Sequence, residues 1–200
     1  MSILDINSAW EELRKRVDSC RKCELCRTRI RTVLGEGPTE KCRCVVVGEA
    51  PGEDEDKSGR PFVGKAGQLL TKIFTDSKIP REKLYITNIL KCRPPKNRDP
   101  LPSEMEACKE HLEAQLLLLH PDIVVTLGRF STQWLFANTK TSITNMRGKW
   151  FDWRGIQFFP MFHPSYLLHK GDIELLKLTY MDAHVLKNAL EILRKRYKED

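Results

Sequence analysis

Seven cysteines are spread unevenly along this 200-residue chain, and four of them form two groups. Two residues separate Cys20 from Cys23, and fifteen separate Cys92 from Cys108, with basic residues beside each pair. Thiolates are soft ligands that select zinc or an iron–sulfur cluster over hard cations, and neither kind of site requires an oxidising compartment. A shared metal site would hold the N-terminal segment against the middle of the chain.

The spacing favours an iron–sulfur cluster over zinc. No histidine follows the first pair at zinc-finger spacing, and the second pair is wider than the knuckles of a zinc ribbon. The alternative is that these cysteines are buried small hydrophobic residues. Of the other three cysteines, Cys42 and Cys44 flank the start of a strand and are expected to pack in the core, whereas Cys26 has no assigned role. The odd total argues against a full disulfide framework.

Length and charge set the broad class. Two hundred residues suit a single domain, 1–200, that can bury a core without disulfides. The net charge of +7 indicates an anionic partner, of which nucleic acid is the commonest large one. Neither a secretory signal nor a run of eighteen apolar residues is present, so we expect a soluble cytoplasmic protein with no membrane partner. The abundance of Lys, Arg and Glu fits a heat-stable prokaryotic source.

Apolar runs bounded by turn residues predict four strands buried on both faces, at 44–47, 84–89, 123–127 and 156–162. Helical patterns occur at 67–77, 103–119, 129–136 and 173–197. The alternation predicts a three-layer α/β/α fold around a mainly parallel, four-stranded sheet.

Two local patterns refine this prediction. Ser103 and Glu106 have capping-box spacing at the start of the second helix. The segment 142–159 interrupts the alternation with glycine turns at Arg147-Gly148 and Arg154-Gly155, which predicts a hairpin or an edge insertion.

Chemically capable residues follow the predicted strands, where ligands bind in open α/β sheets. Gly48-Glu49-Ala50-Pro51-Gly52 follows the first strand, Asn88 the second and His163 the last. An asparagine and a histidine facing one pocket can read the edge of a planar amide, and Phe62 could stack on such a ring. Each residue also has a structural explanation, as a strand-end cap, a satisfied histidine or a core aromatic. Their coincidence at strand ends favours a ligand site.

Together these segments resemble family 4 of the uracil-DNA glycosylases, the bacterial and archaeal type that carries a 4Fe-4S cluster. The resemblance runs from Cys20 to the final helix and depends on several motifs in order. They are Cys20-Arg-Lys-Cys23, Gly48-Glu-Ala-Pro-Gly52, Gly59-Arg-Pro-Phe-Val-Gly-Lys-Ala-Gly67, Thr87-Asn-Ile-Leu-Lys-Cys-Arg-Pro-Pro95, Arg147-Gly-Lys-Trp150 and Met161-Phe-His-Pro-Ser-Tyr-Leu167.

The resemblance implies that Cys20, Cys23, Cys92 and Cys108 ligate the 4Fe-4S cluster. In this family the cluster has a structural role, so it would clamp the proline-rich loop 93–102 near DNA. The resemblance also implies that the chain acts, as a monomer, on single- or double-stranded DNA that contains uracil.

A uracil flipped out of the DNA would then occupy the strand-end pocket. The resemblance implies that Asn88 holds its Watson–Crick edge and that Phe62 stacks on its ring. Main-chain groups of Gly48, Glu49 and Ala50 would contact the base.

The implied reaction is monofunctional hydrolysis of the N-glycosidic bond, which leaves an abasic site during base-excision repair. Negative charge develops on the departing uracil, so a donor near its carbonyl oxygen stabilises the transition state, and His163 is the candidate. Better-known uracil glycosylases have an aspartate that positions water at the place of Ala50. Family 4, like this chain, has alanine there. Glu49 is therefore the first candidate for activating water and Glu53 the second. The alternative for Glu49 is a carboxylate that holds a loop.

Two further expectations concern specificity. Gly52 replaces the tyrosine that excludes thymine elsewhere, so an acidic side chain of segment 53–56 is expected to fill that space, with Glu55 as the hypothesis. Leu167 is the candidate wedge that fills the gap left by the flipped base, and core packing is its alternative role.

Two rival functions remain open at this stage. One is a glycosylase of the same superfamily that removes hypoxanthine or mispaired bases. The other is a cluster-bearing protein that binds nucleic acid without catalysis. The sequence leaves open the preference among single-stranded, G·U and A·U substrates and any sliding-clamp partner.

Overall fold

The computed structural model describes residues 3–136, 142–153 and 155–198, and its centre is one five-stranded sheet of order β2-β1-β3-β5-β4. The strands are β1 (Cys44–Gly48), β2 (Tyr85–Asn88), β3 (Ile123–Leu127), β4 (Phe151–Trp153) and β5 (Ile156–Met161). β1 pairs in parallel with β2 and β3, and β3 pairs in parallel with β5. The four predicted strands and their parallel arrangement are confirmed.

The fifth strand corrects the predicted strand count. β4 pairs antiparallel with β5 at the edge of the sheet, so the hairpin expected within 142–159 is present. Its short length hides it in the sequence, because three residues carry little alternation. Arg154, part of the predicted turn, lies outside the described residues.

Helices cover both faces of the sheet. They are α1 (Ile3–Asp18), α2 (Glu53–Ser58), α3 (Lys65–Asp76), α4 (Pro102–Leu119), α5 (Gly128–Leu135), α6 (Ile143–Met146), α7 (Pro164–Lys170) and α8 (Ile173–Tyr197). The four predicted helices correspond to α3, α4, α5 and α8. In the described part of the chain, no helix is both long enough and apolar enough to cross a membrane.

The start of α4 differs from the predicted capping box. The Glu104 carboxylate, rather than that of Glu106, accepts a hydrogen bond of 2.9 Å from the N–H of Leu101. Arg98 donates to both oxygens of this buried carboxylate, at 2.9 and 2.6 Å. The loop before α4 is therefore held to the first turn of the helix.

Alternate residues of the strands pack into two separate cores. Val46 and Val125 face α3, α7 and α8, whereas Val45 and Val124 face α1, α4 and α5. Every residue of β1 is buried, because its strand lies inside the sheet and helices cover both faces. Burying a valine or leucine fully contributes about 1.5–3 kcal/mol. The predicted three-layer α/β/α architecture is confirmed.

The order of strands defines where a ligand crevice lies. From β1 the chain crosses to β2 on one side and later to β3 on the other, so the direction of winding reverses between β1 and β3. Open α/β sheets bind ligands at the carboxyl ends of strands next to such a reversal. The residues that follow β1, β2, β3 and β5 therefore surround the candidate site.

Candidate functional site

The structure brings together Gly48, Phe62, Asn88 and His163. Gly48 and Asn88 are paired in register at the ends of β1 and β2. A Cβ atom on Gly48 would lie 2.3 Å from Asn88 Oδ1 and 2.4 Å from Phe62 Cζ. The ring centroids of Phe62 and His163 are 5.9 Å apart, with their planes inclined at 38°. The aromatic ring of Phe62, the amide of Asn88 and the imidazole of His163 therefore lie near one another beside the main chain of Gly48.

Asn88 holds an unused hydrogen-bond acceptor. Its side chain is 1% exposed, and its Oδ1 atom has no hydrogen-bond partner within the described residues. A buried polar atom left without a partner costs about 1–3 kcal/mol. The strand-end cap considered from the sequence would occupy this oxygen, so the geometry favours a ligand that donates an N–H to it.

Phe62 is held by its backbone as well as by packing. Its φ angle is +52°, in the left-handed region that non-glycine residues rarely adopt, and its side chain is buried. A Cβ on Gly67 would lie 2.0 Å from the carbonyl carbon and oxygen of Phe62. The glycine at the start of α3 therefore lets the helix pack directly against the Phe62 backbone.

His163 presents a neutral donor. It precedes α7, and its Nδ1 atom accepts a hydrogen bond of 3.2 Å from the N–H of Ser165. The proton of the neutral ring therefore resides on Nε2. Burial lowers the pKa of His163 to about 4, so the ring is uncharged at neutral pH.

Glu49 lies at the crevice between β1 and β3. Burial and, to a smaller extent, the Asp99 carboxylate raise the pKa of its carboxyl group to about 7, against the opposing effect of Arg129. Asp99 and Arg129 form an ion pair of 2.5 Å. No described residue donates a hydrogen bond to the Glu49 carboxylate, so the loop-holding role has no support in the structure. A carboxyl group with a pKa near neutrality can accept a proton from water.

The acidic segment after β1 has structural partners. Glu55 accepts hydrogen bonds from the N–H groups of Gly52, Val63 and Gly64, at 3.0, 2.8 and 2.8 Å. These bonds join the loop after β1 to the loop that carries Phe62. Thymine exclusion by Glu55 therefore stays a hypothesis, and the side chain has a second role that explains its burial.

Glu53 fits a general base less well than Glu49. Its exposed carboxylate pairs with Lys57 at 2.6 Å and with Arg93 at 3.2 Å. These partners lower the pKa of Glu53, with the Lys57 hydrogen bond as the main cause. Glu49 therefore remains the better candidate.

Leu167, the predicted wedge, lies in the core. It is 5% exposed and packs beneath α7, so it would have to unpack before entering a DNA duplex. Tyr166 and Leu168, on either side of it, are 40% and 48% exposed. The wedge role of Leu167 stays a prediction, and the exposed Leu168 is a second candidate.

The cysteines of both predicted pairs line one recess, together with Cys26. The recess also contains Arg29, Lys91 and His111. Cys92 Sγ accepts a hydrogen bond from Arg29 Nη1 at 3.1 Å, and Cys108 Sγ accepts one from the N–H of Lys91 at 3.3 Å. Cys42 and Cys44 are buried in the two cores, as expected.

The chemistry of this recess fits an anionic cluster. Among the described residues, no three His, Cys, Asp or Glu side chains converge as a single metal ion would require. A 4Fe-4S cluster differs, because each of its irons takes one thiolate and the four sulfurs lie further apart. Both ring nitrogens of His111 are buried without a hydrogen-bond partner among the described residues, and an N–H there could donate to an inorganic sulfide. Arg29 and Lys91 add positive charge.

Several residues of these sites escaped the sequence analysis. They are Asp99, Arg129, Lys91 and His111. Lys91 stands within the motif that begins at Thr87, but no role was assigned to it, and the other three have no motif of their own. The proline-rich loop and the spacing of His111 three residues after Cys108 were the available signals.

Comparison with known proteins identifies the family of this chain. The family model of the uracil DNA glycosylase superfamily matches residues 34–185. The chain is 44% identical over 182 residues to a type-4 uracil-DNA glycosylase of Thermotoga maritima, covering 90% of this chain and 94% of that protein. It is 42% identical over 198 residues to the type-4 enzyme of Sulfurisphaera tokodaii, covering 95% and 88%. A third type-4 enzyme, from Archaeoglobus fulgidus, is 43% identical over 170 residues, covering 82% and 85%. The chain therefore belongs to the uracil DNA glycosylase superfamily and, within it, to the type-4 uracil-DNA glycosylases.

Proposed function

We propose that this protein excises uracil from DNA by hydrolysing the N-glycosidic bond, which leaves an abasic site for base-excision repair. The observation that carries the proposal is the buried Oδ1 of Asn88, which has no hydrogen-bond partner among the described residues and lies beside Phe62, whose ring centroid is 5.9 Å from that of His163. The names of the type-4 relatives support the same activity.

Recognition of the base follows from this geometry. The N3–H of a flipped-out uracil donates to Asn88 Oδ1, and the amide nitrogen donates to the O4 atom of the base. Cytosine has an acceptor at N3 and a donor at its exocyclic amine, so it opposes both partners of the amide. The uracil ring stacks on Phe62, and Gly48, which has no side chain, lets Asn88 and Phe62 lie close against the end of β1.

Bond cleavage needs stabilisation of charge on both fragments. The C1′–N1 bond breaks with its electron pair going to uracil, and the Nε2–H of His163 donates to the negative uracil oxygen. Glu49 accepts a proton from the water that attacks C1′. The deoxyribose thereby gains a hydroxyl group at C1′. A neutral imidazole suits this donor role, because its Nε2–H can donate a hydrogen bond without the ring first being protonated.

The cysteine recess would hold a 4Fe-4S cluster on Cys20, Cys23, Cys92 and Cys108. When bound, the cluster supplies four iron–thiolate bonds that cross-link the N-terminal segment to the end of the 88–92 turn and to α4. The loop 93–102 begins directly after Cys92 and ends at the start of α4, the helix that carries Cys108, and it brings Asp99 towards Glu49. A cluster bound by these four cysteines would thereby hold the loop that borders the catalytic crevice.

Uracil-containing DNA is the partner, and the net charge of +7 suits a phosphate backbone. A monomeric state and a cytoplasmic location in a prokaryote stay predictions of the sequence. The order of preference among single-stranded, G·U and A·U substrates is a matter for assay.

The test is excision from a labelled oligonucleotide that carries one uracil, followed by alkali, using iron-replete protein. Matched oligonucleotides with thymine or hypoxanthine and a His163→Ala variant serve as controls. Cleavage at uracil that depends on His163 supports the proposal. Cleavage mainly at hypoxanthine would overturn the assignment of the base, and DNA binding without any cleavage would overturn catalysis.

A further inference from the structure

Lys91 is a buried lysine whose side chain reaches from the cysteine recess to the base-reading residue. It is 1% exposed, and its Nζ atom donates hydrogen bonds to the main-chain oxygen of Asn88 at 2.6 Å, to Gln115 Oε1 at 2.6 Å and to Thr87 Oγ1 at 2.8 Å. Each of the three N–H groups of the ammonium therefore has one acceptor, so its hydrogen-bonding capacity is fully used.

The ammonium group of Lys91 has no carboxylate partner among the described residues. Its three hydrogen-bond acceptors are all neutral, and no ion pair in the described part of the chain includes it. Burying an ammonium group is costly unless negative charge lies nearby. Cys108 and Cys92 are the groups that act on this ammonium group as negative charges. Cys92 is the next residue, and Cys108 Sγ accepts a hydrogen bond from the main-chain N–H of Lys91 at 3.3 Å.

The same lysine closes the turn that carries Asn88. The N–H groups of Ile89 and Leu90 donate to the main-chain oxygens of Gly48 and Glu49, each at 3.0 Å. Lys91 Nζ then reaches back three residues to the Asn88 oxygen. The Asn88 backbone is therefore fixed on one side by β1 and on the other by the ammonium group, and this fixes the point from which its side chain leaves the main chain.

We propose that Lys91 is a positioning residue, whose buried ammonium group holds the Asn88 main chain in the orientation that presents Oδ1 to the base and balances the thiolate charge of the cysteine recess. One residue thereby joins the cluster site to the base-reading site. This inference rests on the proposed function for its effect on activity, because it assumes that Asn88 reads uracil.

A double-mutant cycle tests the positioning role. We expect Lys91→Met to lower kcat/KM on a single-stranded uracil oligonucleotide at least tenfold, and to cause less than a twofold further loss in an Asn88→Ala background. The matched control, Lys72→Met, makes the same change on the exposed face of α3 and is expected to have no effect. Losses that multiply across the two sites would overturn the inference, as would unchanged activity of Lys91→Met.

A second measurement does not depend on activity. Iron and sulfide content and the reduction potential of the bound cluster are measured in the wild type, Lys91→Met and Lys72→Met. Removing a positive charge beside the thiolates disfavours reduction, so we expect a lower potential in Lys91→Met at unchanged iron content. An unchanged potential would overturn the charge-balancing role even if the wild type showed no uracil excision.

If Lys91→Met does not fold, the Thr87→Val variant provides the same test. This substitution removes one acceptor of the ammonium group and leaves the lysine in place. A smaller loss of kcat/KM is expected, again absent in the Asn88→Ala background, and a loss that persists there would contradict the proposal.

Discussion

The backbone N–H of Ser165 donates to Nδ1 of His163, and the Ser165 hydroxyl oxygen lies 2.7 Å from the same atom. The backbone bond alone is enough to keep the proton on Nε2. We therefore expect Ser165→Ala to lower the single-turnover excision rate less than tenfold, and His163→Ala to lower it roughly 100- to 1,000-fold. Rapid-quench assays at saturating enzyme measure both rates. Equal losses would show that the hydroxyl group, rather than the backbone, sets the tautomer.

Glu49 predicts the acidic limb of the pH profile. Since the pKa of its carboxyl group is about 7, a base role requires the rate to rise with pH up to about 7 and then to level off. His163, with a pKa of about 4, stays neutral over that range. Glu49→Gln is expected to be slow and to lack this limb. A limb near pH 7 that survives in Glu49→Gln would assign it to another group.

Glu49 also predicts a change in stability with pH. Its carboxyl pKa is raised from 4.5 on folding, so the folded state favours the protonated form. The contribution of Glu49 is fully present below about pH 4.5 and is lost as pH rises towards 7. Compared with Glu49→Gln in urea unfolding, the wild type should lose relative stability over that interval. A constant difference between the two proteins would contradict the raised pKa.

Gly48→Ala tests the convergence of the pocket. The added methyl group would meet Asn88 Oδ1 and Phe62 Cζ, so one of the two side chains must move. We expect kcat/KM for uracil to fall at least tenfold, while binding to a uracil-free oligonucleotide and the circular dichroism spectrum stay unchanged. Retention of full activity would show that the pocket lies elsewhere.

Substitutions of single cysteines distinguish the proposed cluster ligands from a cysteine that only lines the recess. Cys108→Ser is expected to lose bound iron and the visible absorption of the cluster, and to unfold at a lower temperature because the cross-links are lost. Cys26→Ser should keep its iron although Cys26 lines the same recess. Iron content per protein measures both. Loss of iron from Cys26→Ser alone would overturn the ligand set.

Leu168 and Leu167 predict opposite patterns. Leu168→Ala removes an exposed apolar side chain and should slow excision from duplex DNA but not from single strands. Leu167→Ala leaves a core cavity, which typically costs about 2–5 kcal/mol of stability and should affect both substrates alike. Excision rates on the two substrates, together with thermal unfolding, distinguish these outcomes. A defect of Leu167→Ala on duplex DNA alone would instead support Leu167 as the wedge.

The strands and the site residues at their ends could be predicted because the signals are local. β1 and β3 are continuous apolar runs, and Asn88 and His163 follow β2 and β5 directly. The short elements β4 and α2 carry too few residues for a periodic signal. α1 is different, since Trp10, Leu13 and Val17 have helical spacing that the sequence analysis did not use.

The missed site residues depend on contacts between distant segments. Asp99 meets Arg129 thirty residues further along the chain, and Lys91 meets Gln115 on α4. Such pairs follow from how loops and helices pack across the sheet, and no local pattern encodes them. The exposure of Leu168 and the burial of Leu167 likewise depend on which side of a two-turn helix meets the core.

The left-handed backbone at Phe62 has a consequence for how the enzyme uses binding energy. A non-glycine residue in that region costs of order 1–3 kcal/mol, which packing against Gly67 and the Glu55 bonds to Val63 and Gly64 must offset. That cost is met once, when the chain folds. The arriving base therefore finds its stacking surface already rigid, and none of the affinity between enzyme and DNA is consumed in ordering it.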